Sequence, residues 1–177
     1  MKKYELTSET QVINGAELHR IKALDSFGNI KKGDLGGWIE SEKNLSQDGN
    51  AWVSGNAKVY DNAIVSDNAI VSGNATISGN ATINGDATIS GNATVRGKED
   101  FIVFKNWWSS GRCFTWTRSN NKWKVGCFYG SGEELIAKAY KDSEKSGREY
   151  ERVVKYVNDI LKEEEDNDNG NRNKCED

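Results

Sequence analysis

Proline is absent from this sequence, and histidine occurs only once among its 177 residues. The three cysteines, Cys113, Cys127 and Cys175, show no C-x-x-C spacing, so the pattern predicts neither a disulfide framework nor a metal site. We expect reduced thiols, as in a cytoplasmic protein. No apolar run approaches the roughly 20 residues that span a bilayer, and the first residues lack the apolar stretch of a signal peptide. The sequence therefore predicts a cytoplasmic protein without membrane contact.

Acidic and basic residues nearly balance, so the net charge is only −3. The whole chain therefore carries no electrostatic signal for nucleic acid. Six tryptophans, six tyrosines and five phenylalanines argue against general disorder. Eighteen glycines in a chain without proline indicate a repeat rather than a flexible linker.

A six-residue repeat occupies residues 51–98. Alanine recurs every six residues, and a β-branched aliphatic residue follows two positions after each alanine. Asn or Asp precedes each alanine, and Gly or Asp stands one position earlier. The repeated residues are Ala51, Ala57, Ala63, Ala69, Ala75, Ala81, Ala87 and Ala93, with Val53, Val59, Val65, Val71, Ile77, Ile83, Ile89 and Val95.

This unit predicts a short strand followed by a sharp turn. Alanine and the aliphatic residue point to the same side of an extended segment, and Gly or Asp tolerates the left-handed turn conformation. A period of six cannot hold one face of an α-helix. Three units would form one 18-residue triangular coil. An antiparallel meander of short hairpins is the alternative, but the identical inward alanine in every unit fits a coil better.

The unit Val53-Ser54-Gly55-Asn56-Ala57-Lys58 resembles the pattern of the hexapeptide-repeat family. That resemblance implies a left-handed parallel β-helix. Ile39 and Leu45 continue the alanine register upstream, so we expect the coil to begin near Leu35 and to make three to four coils over residues 35–98. A solenoid this short needs caps at both ends.

The flanking segments predict such caps. Residues 1–34 read as an N-terminal β cap with two strands around the Asn14-Gly15 turn, and we expect Trp38 to seal the open end of the coil. Residues 99–162 predict an aromatic module of three strands and two helices, with the second helix after Gly147. Residues 163–177 are charged, and we expect a disordered acidic tail. The predicted fold class is mainly β, with a small α+β module at the C-terminal side.

Acyl transfer is the best-known activity of the hexapeptide-repeat family, and its usual base is a histidine in or beside the coil. His19 lies in the predicted cap instead. Asp61, Asp67 and Asp86 are at turn positions, where Asp is expected for conformational reasons. The inserted loop that covers the acyl donor in that family is missing. The residues therefore favour a non-enzymatic protein with no catalytic residue and no cofactor, with an acyl-CoA-dependent acyltransferase as the alternative.

Two groups of residues are candidates for contact with other molecules. Trp52, Ile64 and Ile70 are apolar at outward positions of the coil, which indicates a face for homo-oligomerisation; alternatively, Trp52 lies under the N-terminal cap. The second group combines tryptophans and cations, which anchor protein interfaces and can also stack on nucleic-acid bases. It consists of Trp107, Trp108, Arg112, Trp116, Arg118, Lys122 and Trp123. We expect about half of these aromatic side chains to be buried.

Residues 1–162 resemble hypothetical proteins of phages and prophages, some of which are labelled transferases. The resemblance rests on K-K-G-D-L-G-G-W-I-E-S-E-K-N-L-S-Q, on the G-N-A repeats and on G-C-F-Y-G-S-G-E-E-L. It implies a phage-type accessory protein in the host cytoplasm that binds a macromolecular partner, such as a host defence nuclease of the CRISPR type that it would inhibit. A nucleic-acid-binding module is the remaining alternative.

Overall fold

The computed structural model describes residues 2–172, with side chains to residue 167. The chain divides into two units, Met1–Tyr129 and Gly130–Asp177. The first unit begins with the strands β1 (Tyr4–Ile13), β2 (Ala16–Ala23) and β3 (Leu35–Ile39). Eight two-residue strands follow, namely β4 (Trp52–Val53), β5 (Lys58–Val59), β6 (Ile64–Val65), β7 (Ile70–Val71), β8 (Thr76–Ile77), β9 (Thr82–Ile83), β10 (Thr88–Ile89) and β11 (Thr94–Val95).

These short strands form a parallel β-solenoid of about three turns, as the repeat predicted. Each strand pairs with the strand 18 residues further along the chain, so Trp52 aligns with Ile70 and Ile70 with Thr88. The three resulting ladders are β4-β7-β10, β5-β8-β11 and β6-β9. β3 pairs in parallel with β5, which adds the upstream strand to the coil.

The core of the solenoid is the repeat itself. All eight alanines and all eight β-branched residues of the repeat are buried. The residue in the Gly/Asp position has a positive φ in every unit, for example 57° at Asp61 and 65° at Gly55. Burying one Val or Ile side chain stabilises a fold by roughly 1.5–3 kcal/mol. The predicted inward pairs and left-handed turns are therefore confirmed.

Asparagine ladders connect successive coils at the corners. Asn50 Nδ2 donates to Asn68 Oδ1 at 3.0 Å, and Asn68 Nδ2 donates to Asp86 Oδ1 at 3.1 Å. Asn56 donates to Asn74 in the same way at 3.2 Å. In the first five units, the residue before the alanine thus binds the next coil through its side chain.

The N-terminal strands close the first coil. β1, β2 and β3 form an antiparallel sheet that continues into β5, β8 and β11. One donor from this region meets a carbonyl of the first coil on each of the three faces. The pairs are Lys3 Nζ with Ala51 O at 3.0 Å, Trp38 N with Ala57 O at 2.9 Å, and Asn44 Nδ2 with Ala63 O at 2.9 Å. These three alanine carbonyl groups therefore have donors although no earlier coil precedes them.

Lys3 is a buried cap residue. Its Nζ also lies 3.4 Å from the carbonyl oxygens of Asp48 and Gly49, and 4.9 Å from the centre of the Phe27 ring. Burial lowers the pKa of Lys3 to about 8, although the Asp48 carboxylate nearby opposes this shift. The side chain acts as a fixed donor to the coil rather than as a surface charge.

The expected role of Trp38 was wrong. Its backbone aligns with Lys58, so its side chain points out of the solenoid, where it packs with Leu18 and Tyr60. The Arg20 guanidinium lies 5.3 Å from the centre of the Trp38 ring. The core at this end is closed by other buried side chains, including Ile21.

An antiparallel sheet closes the other end of the solenoid. Its strands are β12 (Phe101–Lys105), β13 (Cys113–Thr117), β14 (Lys122–Val125) and β15 (Phe128–Gly130), one more than predicted. Thr88 N donates to Thr115 Oγ1 at 3.1 Å, and Thr94 N donates to Ser119 Oγ at 2.7 Å. In earlier coils the equivalent N–H groups bind carbonyls of the next coil. Side-chain hydroxyls from the sheet take over that role here.

The second unit contains two helices, α1 (Gly132–Asp142) and α2 (Glu144–Arg172). Ser131 caps α1 as predicted, because its hydroxyl accepts from Glu134 N at 3.2 Å. Two expectations need correction. Gly147 lies inside α2 rather than before it, and residues 163–172 are helical rather than disordered. Glu is a good helix former, which favours the extension over Glu163 to Glu165, whereas the Asn-rich and Asp-rich residues after it do not explain the rest. The last five residues of the expected tail lie outside the described residues.

Candidate partner-binding surface

The loop between β12 and β13 holds its shape through Asn106, which is 1% exposed. Asn106 Oδ1 accepts from Ser109 N at 2.9 Å, and its Nδ2 donates to Ser109 Oγ at 2.9 Å. Asn106 N also donates to Arg112 O at 2.8 Å. An Asn side chain that binds its own loop in this way builds a compact turn. This turn sets the position of the next residue, Trp107.

The side chain of Trp107 is 81% exposed. Its ring meets Trp108 edge to face, with 6.1 Å between the ring centres. Trp108 in turn packs edge to face on the buried Phe114 at 5.8 Å. A large apolar side chain is therefore held in the solvent by an ordered loop and by an anchored neighbour.

Two of the predicted contact tryptophans are instead core residues. Trp116 is 1% exposed and Trp123 is 2% exposed. The two residues pair across the β13–β14 hairpin, so they lie on the same face of the sheet. Trp116 Nε1 donates to Asn121 Oδ1 at 2.8 Å, and Phe104 stacks on Trp123 with 6.1 Å between ring centres. Neither ring can reach a partner.

The three predicted cations differ in exposure and in their contacts. Arg112 is exposed and Lys122 is partly exposed. Arg118 Nε donates to Glu99 O at 2.9 Å, and its guanidinium lies 5.7 Å from the centre of the Trp116 ring. Arg118 therefore holds the sheet together. Among the predicted contact residues, Trp107 and Arg112 remain the most accessible.

The residues predicted as an apolar contact face do not share one face of the solenoid, because Ile64 lies in the β6-β9 ladder and Ile70 in the β4-β7-β10 ladder. Ile64 is 42% exposed and Ile70 is 41% exposed, whereas Trp52 is only 3% exposed. Phe27 and Tyr4 cover Trp52, with ring centres at 5.5 Å and 6.4 Å. The alternative position of Trp52, under the N-terminal cap, is therefore correct. The role of Ile64 and Ile70 in oligomerisation stays a prediction.

The carboxylates of the coil have structural partners. Asp61 Oδ2 accepts from Gly79 N at 3.1 Å, and Asp67 Oδ2 accepts from Gly85 N at 2.9 Å. Each carboxylate thus binds the backbone one coil further on. Asp86 accepts from the Asn68 side chain, as described above. These contacts explain Asp at the corners without any catalytic role.

His19 lies in β2, whereas Cys113 lies in β13 and Cys127 follows β14. His19 Nδ1 lies 3.3 Å from Thr7 O, within the irregular stretch of the β1–β2 pairing. Cys113 is half-buried and Cys127 is exposed, and both are free thiols. Burial raises the pKa of the Cys113 thiol, to which the Asp86 carboxylate adds. Residues 2–172 contain no group of three or more His, Cys, Asp or Glu side chains that could hold a metal ion.

Asn106 is the residue of this surface that the sequence interpretation missed. The signal was available, because Asn directly after a predicted strand, with Ser residues close behind it, is typical of a turn. None of the helices in the described part of the chain is both long and apolar enough to cross a membrane.

Two comparisons relate the chain to known proteins. A family model described as the YdcK β-solenoid repeat matches residues 57–73 and 75–89. The uncharacterized acetyltransferase YdcK of Escherichia coli (strain K12) is 34% identical over 61 residues. This match covers 30% of the chain and only 19% of that relative. Together with the fold, these matches support a repeat β-solenoid protein.

Proposed function

We propose that this protein is a non-enzymatic binding protein that uses its solenoid as a rigid scaffold and docks on a protein partner through Trp107. The observation that carries the proposal is the 81% exposure of Trp107 on an ordered loop. Leaving a tryptophan in water gives up the free energy that its burial would contribute. A partner that buries the ring recovers that free energy.

Preorganisation supports the same proposal. Asn106 fixes the loop and Trp108 supports the Trp107 ring, so little conformational entropy remains to be lost on binding. Arg112 lies at the other end of the same loop and is exposed. Trp and Arg are the residue types most enriched at the energetic centres of protein interfaces. The loop therefore has the composition and the rigidity of a docking element.

We extend the proposal to the biological setting through the resemblance to phage and prophage proteins. In that setting the protein acts in the host cytoplasm as an accessory protein, and the partner is a host defence nuclease of the CRISPR type. The resemblance alone supports this extension. A nuclease cleavage assay with and without the purified protein tests it, and unchanged cleavage by every nuclease of the host would reject it.

Replacing Trp107 with alanine is expected to weaken partner binding by roughly 30-fold, the effect of removing an interface anchor of about 2 kcal/mol. The wild type and the two variants are each used to capture partners from host lysate. The captured protein is then titrated against all three to compare their dissociation constants. Val12→Ala is the matched control, because Val12 is also apolar and is 70% exposed, on β1. A partner that binds the wild type and both variants equally would contradict docking through Trp107.

Acyl transfer is the second candidate, and the printed name of the Escherichia coli relative favours it. We expect no change in the melting temperature when acetyl-coenzyme A is added. A site occupied at 100 times its dissociation constant would stabilise the fold by about 2.7 kcal/mol, which raises the melting temperature by roughly 5–10 °C. A saturable shift of that size would favour the acyltransferase over the binding protein.

Nucleic-acid binding is the weaker alternative, because two of the four tryptophans of the predicted patch are buried and cannot stack on bases. An affinity for single-stranded nucleic acid that falls steeply with salt would restore it.

A further inference from the structure

β12 forms one edge of the four-stranded sheet, since the strand order is β12-β13-β14-β15. The pairing shows which of its backbone groups face outward. Arg118 N donates to Asp100 O, and Asn106 N donates to Arg112 O, so the even-numbered residues of β12 bind β13. Alternation along an antiparallel pair then directs the N–H and C=O groups of the odd-numbered residues away from the sheet. These residues are Phe101, Val103 and Lys105.

This edge is open in the part of the chain that the structure describes. β12 pairs there with β13 alone, over an uninterrupted register from Phe101 to Lys105. The Val103 side chain is 39% exposed, and Lys105 is exposed as well. An open edge with a continuous register and apolar side chains is a template for another strand.

The contrast with β1, the edge of the other large sheet, makes this feature specific. β1 carries an irregularity between Leu6 and Thr10, and it bears the charged residues Glu5 and Glu9. Bulges and charges are the devices that protect sheet edges from pairing. β12 has neither device over its first four residues, Phe101 to Phe104.

The charges at the two ends of β12 indicate which kind of strand can pair with its open edge. Before the strand, the exposed Lys98 and Glu99 and the partly exposed Asp100 together carry a net charge of −1, and Lys105 is exposed at the end of the strand. A second β12 in antiparallel orientation brings Lys105 of one copy close to Glu99 of the other. A parallel strand of the same sequence would align like charges instead. Charge complementarity therefore favours the chain itself, in antiparallel orientation, as the occupant.

We propose that two copies of this chain pair through their β12 strands to form a dimer with one continuous eight-stranded sheet. The register that uses all outward groups places Val103 on the two-fold axis, opposite Val103 of the second copy. Phe101 then lies opposite Lys105 in both directions, which forms roughly six backbone hydrogen bonds. In this register Trp107 lies opposite Glu99 of the second copy, so the Trp107 loop borders the interface. The dimer does not rest on the proposed function, because its test changes Val103 and leaves Trp107 in place.

Sedimentation of charge variants tests the dimer. The wild type is expected to sediment as a dimer, while Val103→Lys and Val103→Glu each become monomeric, because like charges meet on the axis. An equimolar mixture of the two variants is expected to form dimers again, with a dissociation constant at least about tenfold below that of either variant alone. Val103→Thr keeps a neutral, β-branched side chain in the strand, and is expected to stay dimeric.

Three results would overturn the proposal. One is a wild type that remains monomeric up to about 100 µM, and another is a Val103→Lys variant that still dimerises, since the contact would then lie elsewhere. The third is a mixture of the lysine and glutamate variants that stays monomeric. The circular dichroism melting curves of the variants check folding, because Val103 lies on an exposed edge and its substitution leaves the β12–β13 hydrogen bonds in place. Slower amide exchange at Val103 with rising concentration would support the proposed edge.

Discussion

Replacing Gly36 with alanine is expected to lower the free energy of unfolding by about 3 kcal/mol or more. Gly36 lies in β3, directly on the end of the solenoid. A β-carbon at this position would lie 2.6 Å from Trp52 Cζ2 and 2.6 Å from Val53 O, and it would also meet Ile21 Cγ1. Such distances are far below ordinary van der Waals contact, so atoms must move.

The surroundings of Gly36 leave no direction for that movement. Ile21 and Trp52 are both buried, and one of the atoms involved belongs to the backbone of Val53. Close-packed interiors transmit such a displacement instead of absorbing it. The expected consequence is that β3 lifts from the coil, which weakens the β3–β5 pairing and exposes Trp52.

Urea unfolding followed by circular dichroism measures this effect, and Gly33→Ala separates packing from backbone strain. Gly33 has a φ of 94°, and a β-carbon there meets nothing within 4 Å. Its substitution carries the strain of a positive φ alone, roughly 1–2 kcal/mol. Equal destabilisation by the two substitutions would show that the close approach at Gly36 is not a constraint.

The solenoid could be predicted from the sequence because its determinants are local. Ala57 and Val59 are two residues apart in an extended segment, so their common direction follows from strand geometry. The backbone must turn at Gly55, two residues before the alanine. The Gly or Asp found at this position in every unit indicates that turn. Repetition of this unit eight times then leaves few alternatives to a stack of coils.

Burial of the tryptophans depended on contacts between distant segments. Trp52 is buried because Phe27, 25 positions earlier in the sequence, folds over it. The burial of Trp116 and Trp123 was easier to predict, because the turn between their strands sets a register that pairs them on one face. Trp107 differs from these three only in its position within a turn. Residue type alone could not separate the exposed tryptophan from the buried ones.

The sequence predicts that the coil needs caps, but it does not show which residues form them. Each end of a parallel coil leaves backbone N–H and C=O groups without a partner strand. The sequence does not state which side chains reach them, because these partners come from segments outside the repeat. Lys3 and Asn44 supply donors at one end, while Thr115 and Ser119 supply acceptors at the other. Their contribution is best tested at the most buried of them.

Replacing Asn44 with aspartate is expected to lower the free energy of unfolding by about 4 kcal/mol at neutral pH. Asn44 is fully buried, and its Nδ2 donates to Asp61 O at 3.1 Å and to Ala63 O at 2.9 Å. The substitution keeps the shape of the side chain but turns this donor into an acceptor. Two carbonyl oxygens then face a buried carboxylate, and neither has a donor.

The pH dependence of this loss has a definite sign. Burial and the two carbonyl oxygens raise the pKa of the introduced carboxyl above the value of about 3.9 in an unfolded chain. Between the two pKa values the folded state holds more protons than the unfolded state, so stability falls as the pH rises. Below the unfolded pKa the carboxyl is protonated and can donate to one carbonyl. The difference from the wild type should therefore be smaller at about pH 4.5 than at about pH 7.5.

Asn62→Asp provides the matched control for the same chemical change at an exposed position. Asn62 Nδ2 donates to Asn80 Oδ1 at 3.3 Å, and the Asn80 amide can rotate to offer its own donor to a carboxylate. Asp86 already occupies the equivalent position in another corner ladder. We therefore expect Asn62→Asp to change stability by less than about 1 kcal/mol, with little pH dependence. If both variants lost the same stability, or if the loss at Asn44 did not grow with pH, the buried cap would not close this end of the coil.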